Sequence, residues 1–103
     1  MNNSTNKPTS AQLIEIYKIF NEYIEKCESL STDDYHYRAM IDFSGDFFYK
    51  GEMFISFSVC KHYTDKNKDC ELILSISEST YYVTTSDYIK RMRDNLANLN
   101  IEA

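Results

Sequence analysis

The chain has no tryptophan, one proline and two glycines in 103 residues. Two glycines cannot build the glycine-rich loops on which nucleotide-binding motifs depend. Neither a G-x-S-x-G elbow nor an H-E-x-x-H zinc motif occurs. No apolar run approaches the roughly 18–20 residues of a membrane-spanning helix, and the polar start MNNSTNKPTS lacks the apolar core of a signal peptide. Basic charge is scarce as well: 11 Lys and Arg face 16 Asp and Glu, a net charge of −5. Affinity for a phosphate backbone rests on clustered Lys and Arg, so the small basic group Lys90, Arg91 and Arg93 does not predict direct nucleic-acid binding. Three cysteines are an odd number. A secreted domain of this size normally pairs all of its cysteines, so a cytoplasmic location is the expectation.

What is present is a globular composition, 43% hydrophobic and 26% charged, in the range of one folded domain. Asn, Ile, Lys, Tyr and Phe account for 41 residues, and Gly, Pro, Ala and Arg for 10. The first group has A/T-rich codons and the second G/C-rich ones, which points to an A/T-rich genome such as those of low-GC bacteria and their phages.

Residues 1–8 read as a polar tail and residues 9–103 as a single domain. Thr9 and Gln12 have the spacing of a capping box. Leu13, Ile16, Tyr17, Phe20, Tyr23, Ile24 and Cys27 then recur at helical spacing, with Ile19 at the margin of the stripe, predicting a helix over residues 10–29. From Tyr35 the period becomes two: Tyr35, Tyr37, Ala39, Ile41 and Phe43 alternate with polar residues, the signature of a half-buried strand. The same parity continues through Phe47, Tyr49, Met53, Ile55, Phe57 and Val59. A hairpin across Lys50-Gly51-Glu52 would pair Tyr49 with Met53, Phe47 with Ile55 and Phe43 with Val59. Parity switches at Cys70, Leu72, Leu74 and Ile76, and a second hairpin would restore agreement by pairing Val59 with Leu74 and Phe57 with Ile76. A third, across Ser77 to Thr80, would pair Leu74 with Val83 and Ile76 with Tyr81. Ser86 then caps a second helix striped by Tyr88, Ile89, Met92, Leu96 and Leu99. The fold class this predicts is α+β: a four-stranded antiparallel meander with N-terminal and C-terminal helices packed on one face, in the order α-β-β-β-β-α.

Candidate chemistry is thin. Cys27 falls on the core stripe, and Cys60 and Cys70 point to opposite faces of the predicted sheet, so free thiols are expected rather than a disulfide or a zinc site. His36 and His62 share the far face, roughly 13 Å apart in the predicted register. No cofactor, metal or catalytic residue is expected.

Two surfaces stand out instead. Glu15, Glu22, Glu25 and Glu28 line one side of the first helix and lead into Asp33 and Asp34, a surface suited to steering a basic partner. The far face of the sheet collects Phe48 opposite Phe54, Ile73 beside Cys60, Tyr82 and several serines, an unusual solvent face with little charge. The expected function is that of a small acidic, non-enzymatic protein that binds and inhibits or neutralises another protein, as phage anti-defence proteins such as anti-CRISPRs and toxin immunity proteins do. The alternative is a chaperone or adaptor for a secreted protein, and a small enzyme ranks below both. The expected partner is another protein, with a basic surface, or a second copy of the chain; no membrane contact is expected.

Overall fold

A computed structural model describes residues 8–46, 52–80 and 82–99. Its elements run α1 (Ser10–Leu30), β1 (Tyr35–Asp46), β2 (Glu52–Tyr63), β3 (Glu71–Ser79) and α2 (Thr85–Ala97). The fold is α+β, with two helices and one antiparallel sheet in the order β1-β2-β3. Residues 1–7 of the expected tail lie outside the described residues, and Pro8 is already buried.

The α1 cap is the predicted box. The Gln12 amide N–H donates to Thr9 Oγ at 3.1 Å, and the Thr9 N–H donates to the Gln12 side chain at 2.9 Å. The buried line of α1 is Ile16, Ile19, Tyr23 and Cys27, so Ile19 lies at its centre. The Leu13, Tyr17, Phe20 and Ile24 side leans over β1, where the Tyr17 ring meets Phe43 at 5.6 Å. At the far end of α1, the Ser31 hydroxyl donates to the Cys27 carbonyl at 2.8 Å and accepts the Tyr37 N–H at 3.0 Å, which joins the helix end to β1.

The sheet confirms the strand parity and corrects the register. Phe43 faces Ile55 rather than Val59, and Val59 faces Ala39. The partner of each β1 residue is displaced by four, an even number, so no side chain changes face. The observed register pairs Tyr35 with Tyr63 and His36 with His62; the expected one would have set both against the polar loop after Tyr63. Strand β1 ends at Asp46 and β2 begins at Glu52. Phe47, Tyr49 and the Lys50-Gly51 of the expected hairpin lie outside the described residues.

Between β2 and β3 the expected pairs Phe57–Ile76 and Val59–Leu74 are present. Beyond them a bulge intervenes, so that Cys60 faces Leu72 and Ile73 is the extra residue. Leu72 thereby leaves the apolar face, and Cys70 precedes the strand and is exposed.

The expected fourth strand does not form. Thr80 still pairs with β2, its N–H donating to the Met53 carbonyl at 2.8 Å and its hydroxyl accepting the Met53 N–H at 2.9 Å. The N–H groups of Tyr82 and Val83 then both turn back to the Ser79 carbonyl. Thr84, not Ser86, caps α2 by accepting the Asp87 N–H at 3.1 Å. The β-branched and aromatic run from Thr80 to Thr85 has strand propensity, but the turn and the cap leave too few residues for a strand.

Both helices lie on the odd-numbered face of β1 and β2. The core joins Ile55, Phe57, Val59 and Ile76 of the sheet to Tyr23, Tyr88, Met92 and the α1 isoleucines. Phe57 is ringed by Tyr23 at 4.5 Å and Phe20 at 6.1 Å. Two buried hydroxyls lock the layers: Tyr23 donates to the Met92 carbonyl at 2.6 Å, and Tyr88 donates to the Ile76 carbonyl at 2.5 Å. Burial pushes both phenols well above their ordinary value, with Cys27 adding to it at Tyr23, and Tyr23 and Glu78 at Tyr88.

Two outcomes follow for stability. Tyr23→Phe is expected to cost about 1 kcal/mol, one buried hydrogen bond, and Tyr23→Ala about 3–5 kcal/mol, because it also leaves a cavity. Urea titrations of the two variants check both. The phenols also make stability fall in alkali. Their folded-state values are raised, so the stabilisation is complete below about pH 10, where unfolded tyrosine ionises, and is lost as pH rises above it. The denaturation midpoint should therefore drop between about pH 10 and 12, and less steeply in Tyr88→Phe.

Candidate docking surface

With both helices on one side, no element among the described residues covers the other side of the sheet, its bare face. Its centre is a serine field: Ser44 on β1, Ser56 and Ser58 on β2, and Ser75, Ser77 and Ser79 on β3. The hydroxyls of Ser56 and Ser77 bond each other at 3.0 Å, and those of Ser75 and Ser77 at 3.4 Å, which leaves less of their hydrogen-bonding capacity for water. Large apolar side chains stand around this field. Phe54, 44% exposed, lies between Ser44 and Ser79; Met40 faces Ser58; Leu72, 63% exposed, faces Cys60. The charged residues of this face lie toward its margins: Arg38 and Asp42 on β1, and the register pair Asp46 and Glu52 at the hairpin end. Exposed apolar side chains set around a field of hydroxyls are suited to a protein contact.

The individual candidates fare differently. Phe48 lies outside the described residues, and Phe54 is opposed by Ser44, not by Phe48. Ile73 sits at the β3 bulge, and Leu72 holds the place expected for it beside Cys60. Tyr82 is 83% exposed but belongs to the turn before α2, not to the sheet. On α1, Glu15 is committed to Arg93 of α2, whose Nε and Nη2 both donate to one carboxylate oxygen at 3.1 and 2.7 Å. Glu22, Glu25 and Glu28 are exposed and make no ion pair among the described residues.

The corrected register brings the two histidines together. His36 and His62 are direct cross-strand partners with rings stacked at 5.2 Å and 13°. His62 Nε2 is buried without a partner. Parallel stacked rings do not aim their lone pairs at one point, and among the described residues no group of three His, Cys, Asp or Glu is arranged to hold a metal. Cys60 shares this face, two residues before His62 on β2, and is half-buried.

One cluster escaped the sequence reading. The Lys61 ammonium lies 4.1 Å from the Tyr35 ring centre, 5.1 Å from Tyr63 and 5.7 Å from Tyr37. Partial burial pulls its pKa down, but the Tyr37 and Tyr63 hydroxyls outweigh this and hold it above the ordinary lysine value. The signal was a lysine at apolar parity between Val59 and Tyr63. A shallow recess of about 600 Å³ opens beside it, bounded by Asp34, Asp65 and Lys68. Among the described residues no helix is long and apolar enough to cross a membrane.

Comparison with protein-family models, with curated proteins and with solved structures finds no match to this chain.

The three thiols are free, with Cys27 buried, Cys60 half-buried and Cys70 exposed. Burial also pushes the Cys27 thiol up, which depletes its reactive thiolate. Alkylation followed by mass spectrometry should therefore label Cys70 first, Cys60 more slowly, and Cys27 only once the protein is unfolded.

Proposed function

We propose that this chain is a small, non-enzymatic protein-binding module that inhibits or neutralises another protein by docking through the bare face of its sheet. The observation that supports this most is the combination of Phe54, Met40 and Leu72 around an almost uncharged serine field, on the side that neither helix covers. A domain that spends its helices on one face and leaves apolar side chains on the other gains roughly 1.5–3 kcal/mol for each large one that a partner buries. Glu22, Glu25 and Glu28 give a field that accelerates approach of a basic partner without entering the contact. Phage anti-defence and toxin immunity are roles in which a protein of this size acts by occupying its target, and the A/T-rich composition agrees with a phage or low-GC bacterial source.

The test compares immobilised wild-type protein with Phe54→Asp in lysate of an A/T-rich bacterial host. A protein held by the wild type and released by Phe54→Asp is the expected target, with affinity lowered about tenfold or more while circular dichroism stays unchanged. Identical captured proteins on both matrices would sink the assignment of this face. For the same target, Glu22→Lys combined with Glu25→Lys should slow association and flatten its salt dependence, leaving dissociation unchanged. Association kinetics equal to the wild type would reduce the acidic stripe to an ordinary solvated helix face.

A further inference from the structure

The two edges of the sheet are not alike. Strand β3 is interrupted by its bulge at Ile73, a device that discourages edge-to-edge pairing. Strand β1 is twelve residues long and carries no proline, no lysine and no bulge in its pairing with β2. Its outward backbone groups can be identified. The Tyr37 N–H donates to Ser31 Oγ, and the Tyr35 carbonyl accepts the Thr32 N–H at 2.8 Å. Both contacts lie on the side away from β2, so the odd residues of β1 present N–H and C=O to the edge. Ser31 and Thr32 cover that edge as far as Tyr37. Beyond them, among the described residues, no hydrogen bond reaches the outward backbone groups of Ala39, Ile41 and Phe43.

We infer that this edge pairs antiparallel with β1 of a second copy of the chain, the two-fold axis passing through Met40, to make one continuous six-stranded sheet. The register is set by charge. Arg38 and Asp42 are exposed, lie on the same face two residues either side of Met40, and make no ion pair among the described residues. Centring on Met40 sets Arg38 opposite Asp42 of the second copy, and Asp42 opposite its Arg38, the self-complementarity that a two-fold contact requires. The same register makes Ala39 and Ile41 hydrogen-bonded partners across the axis. It also lets the Phe43 N–H reach the Tyr37 carbonyl of the second copy, where the Ser31 cover ends. On the helix-bearing face, Ile41 and Phe43 of the second copy extend the apolar floor toward the Leu13, Tyr17 and Ile24 side of α1, where Tyr17 is left 50% exposed. The contact takes Arg38, Met40 and Asp42 at the β1 margin of the bare face and leaves Phe54, the serine field and Leu72 outside it, so one dimer would present two such faces side by side.

Sedimentation equilibrium of the full chain over about 1–300 µM tests it. The expected result is a dimer that Arg38→Asp and Asp42→Arg each weaken about tenfold or more. The double exchange, carrying both substitutions, should restore it, and circular dichroism should be unchanged throughout. Hydrogen exchange gives a second reading: the amides of Ala39, Ile41 and Phe43 should exchange fast when dilute and slowly when concentrated. A monomer at every concentration overturns the inference, as does a dimer indifferent to all three charge variants or one that the double exchange fails to restore. A dimer broken by Phe54→Asp with the β1 amides still fast would assign self-association to the bare face and equally overturn the edge pairing.

Discussion

Two tyrosine hydroxyls decide where the second helix goes, and the rest of the layout depends on that placement. Tyr23 reaches from α1 to the Met92 carbonyl of α2, and Tyr88 reaches from α2 to the Ile76 carbonyl of β3. A buried phenol without an acceptor is costly, and a phenol that finds one fixes both groups in place. Because the two bonds tie α2 at once to α1 and to the sheet, α2 is held on the face α1 already occupies. The Arg93–Glu15 bridge adds a surface tie between the helices, but exposed pairs of that kind contribute about 0–1 kcal/mol and cannot set the arrangement alone. The bare outer face is thus a consequence of the interior.

That consequence carries a hazard, which the chain manages unequally. An uncovered sheet face and two open edges are where small β-containing proteins associate without control. On the face, hydroxyls that bond one another keep the serine field weakly hydrated while Phe54, Met40 and Leu72 remain apart from one another. At the β3 edge the bulge breaks the ladder, and Thr80 closes its end against Met53 with both backbone and side chain. Only the β1 edge is left regular beyond Tyr37. An apolar face and a regular edge preserved in the same molecule, where a lysine at either would remove the hazard, are the features from which a contact can be argued.

The sequence shows faces far better than it shows positions along a strand. Period-two alternation assigns each residue to a side, and from Tyr35 to Ser44 and from Met53 to Tyr63 the register keeps those sides. Alternation is blind to an even displacement, however, so a glycine at position 51 drew the expected hairpin centre four residues' worth of register away from the real pairing. The error mattered most for His36 and His62, which are stacked partners rather than distant neighbours. Ile73 and Leu72 exchanged roles for a related reason: a bulge changes parity within a strand, and no residue type in the run Cys70 to Leu74 announces it. The fourth strand failed through competition. Thr84 can end a strand or cap a helix, and the buried Tyr88–Ile76 bond favours the helix, a tertiary effect invisible in local pattern.

Lys61 illustrates the remaining gap between a pattern and a site. Its parity places it with Val59 and Tyr63 on the apolar face, where a lysine normally marks an error in the strand assignment or the end of the core. The structure shows the second case with an addition. Tyr35, Tyr37 and Tyr63 surround the ammonium at 4.1–5.7 Å and offer ring faces that favour a cation. Tyr35 and Tyr63 meet there only because the register pairs them, and Tyr37 joins them because Ser31 holds its N–H at the end of α1. Lys61 is half-buried, and with its ammonium against the three rings it closes the rim of the apolar layer at the end where α1 gives way to β1. The rim is therefore built from the same constraint as the β1 edge: the Ser31 hydroxyl that ends the helix also marks where the free strand begins.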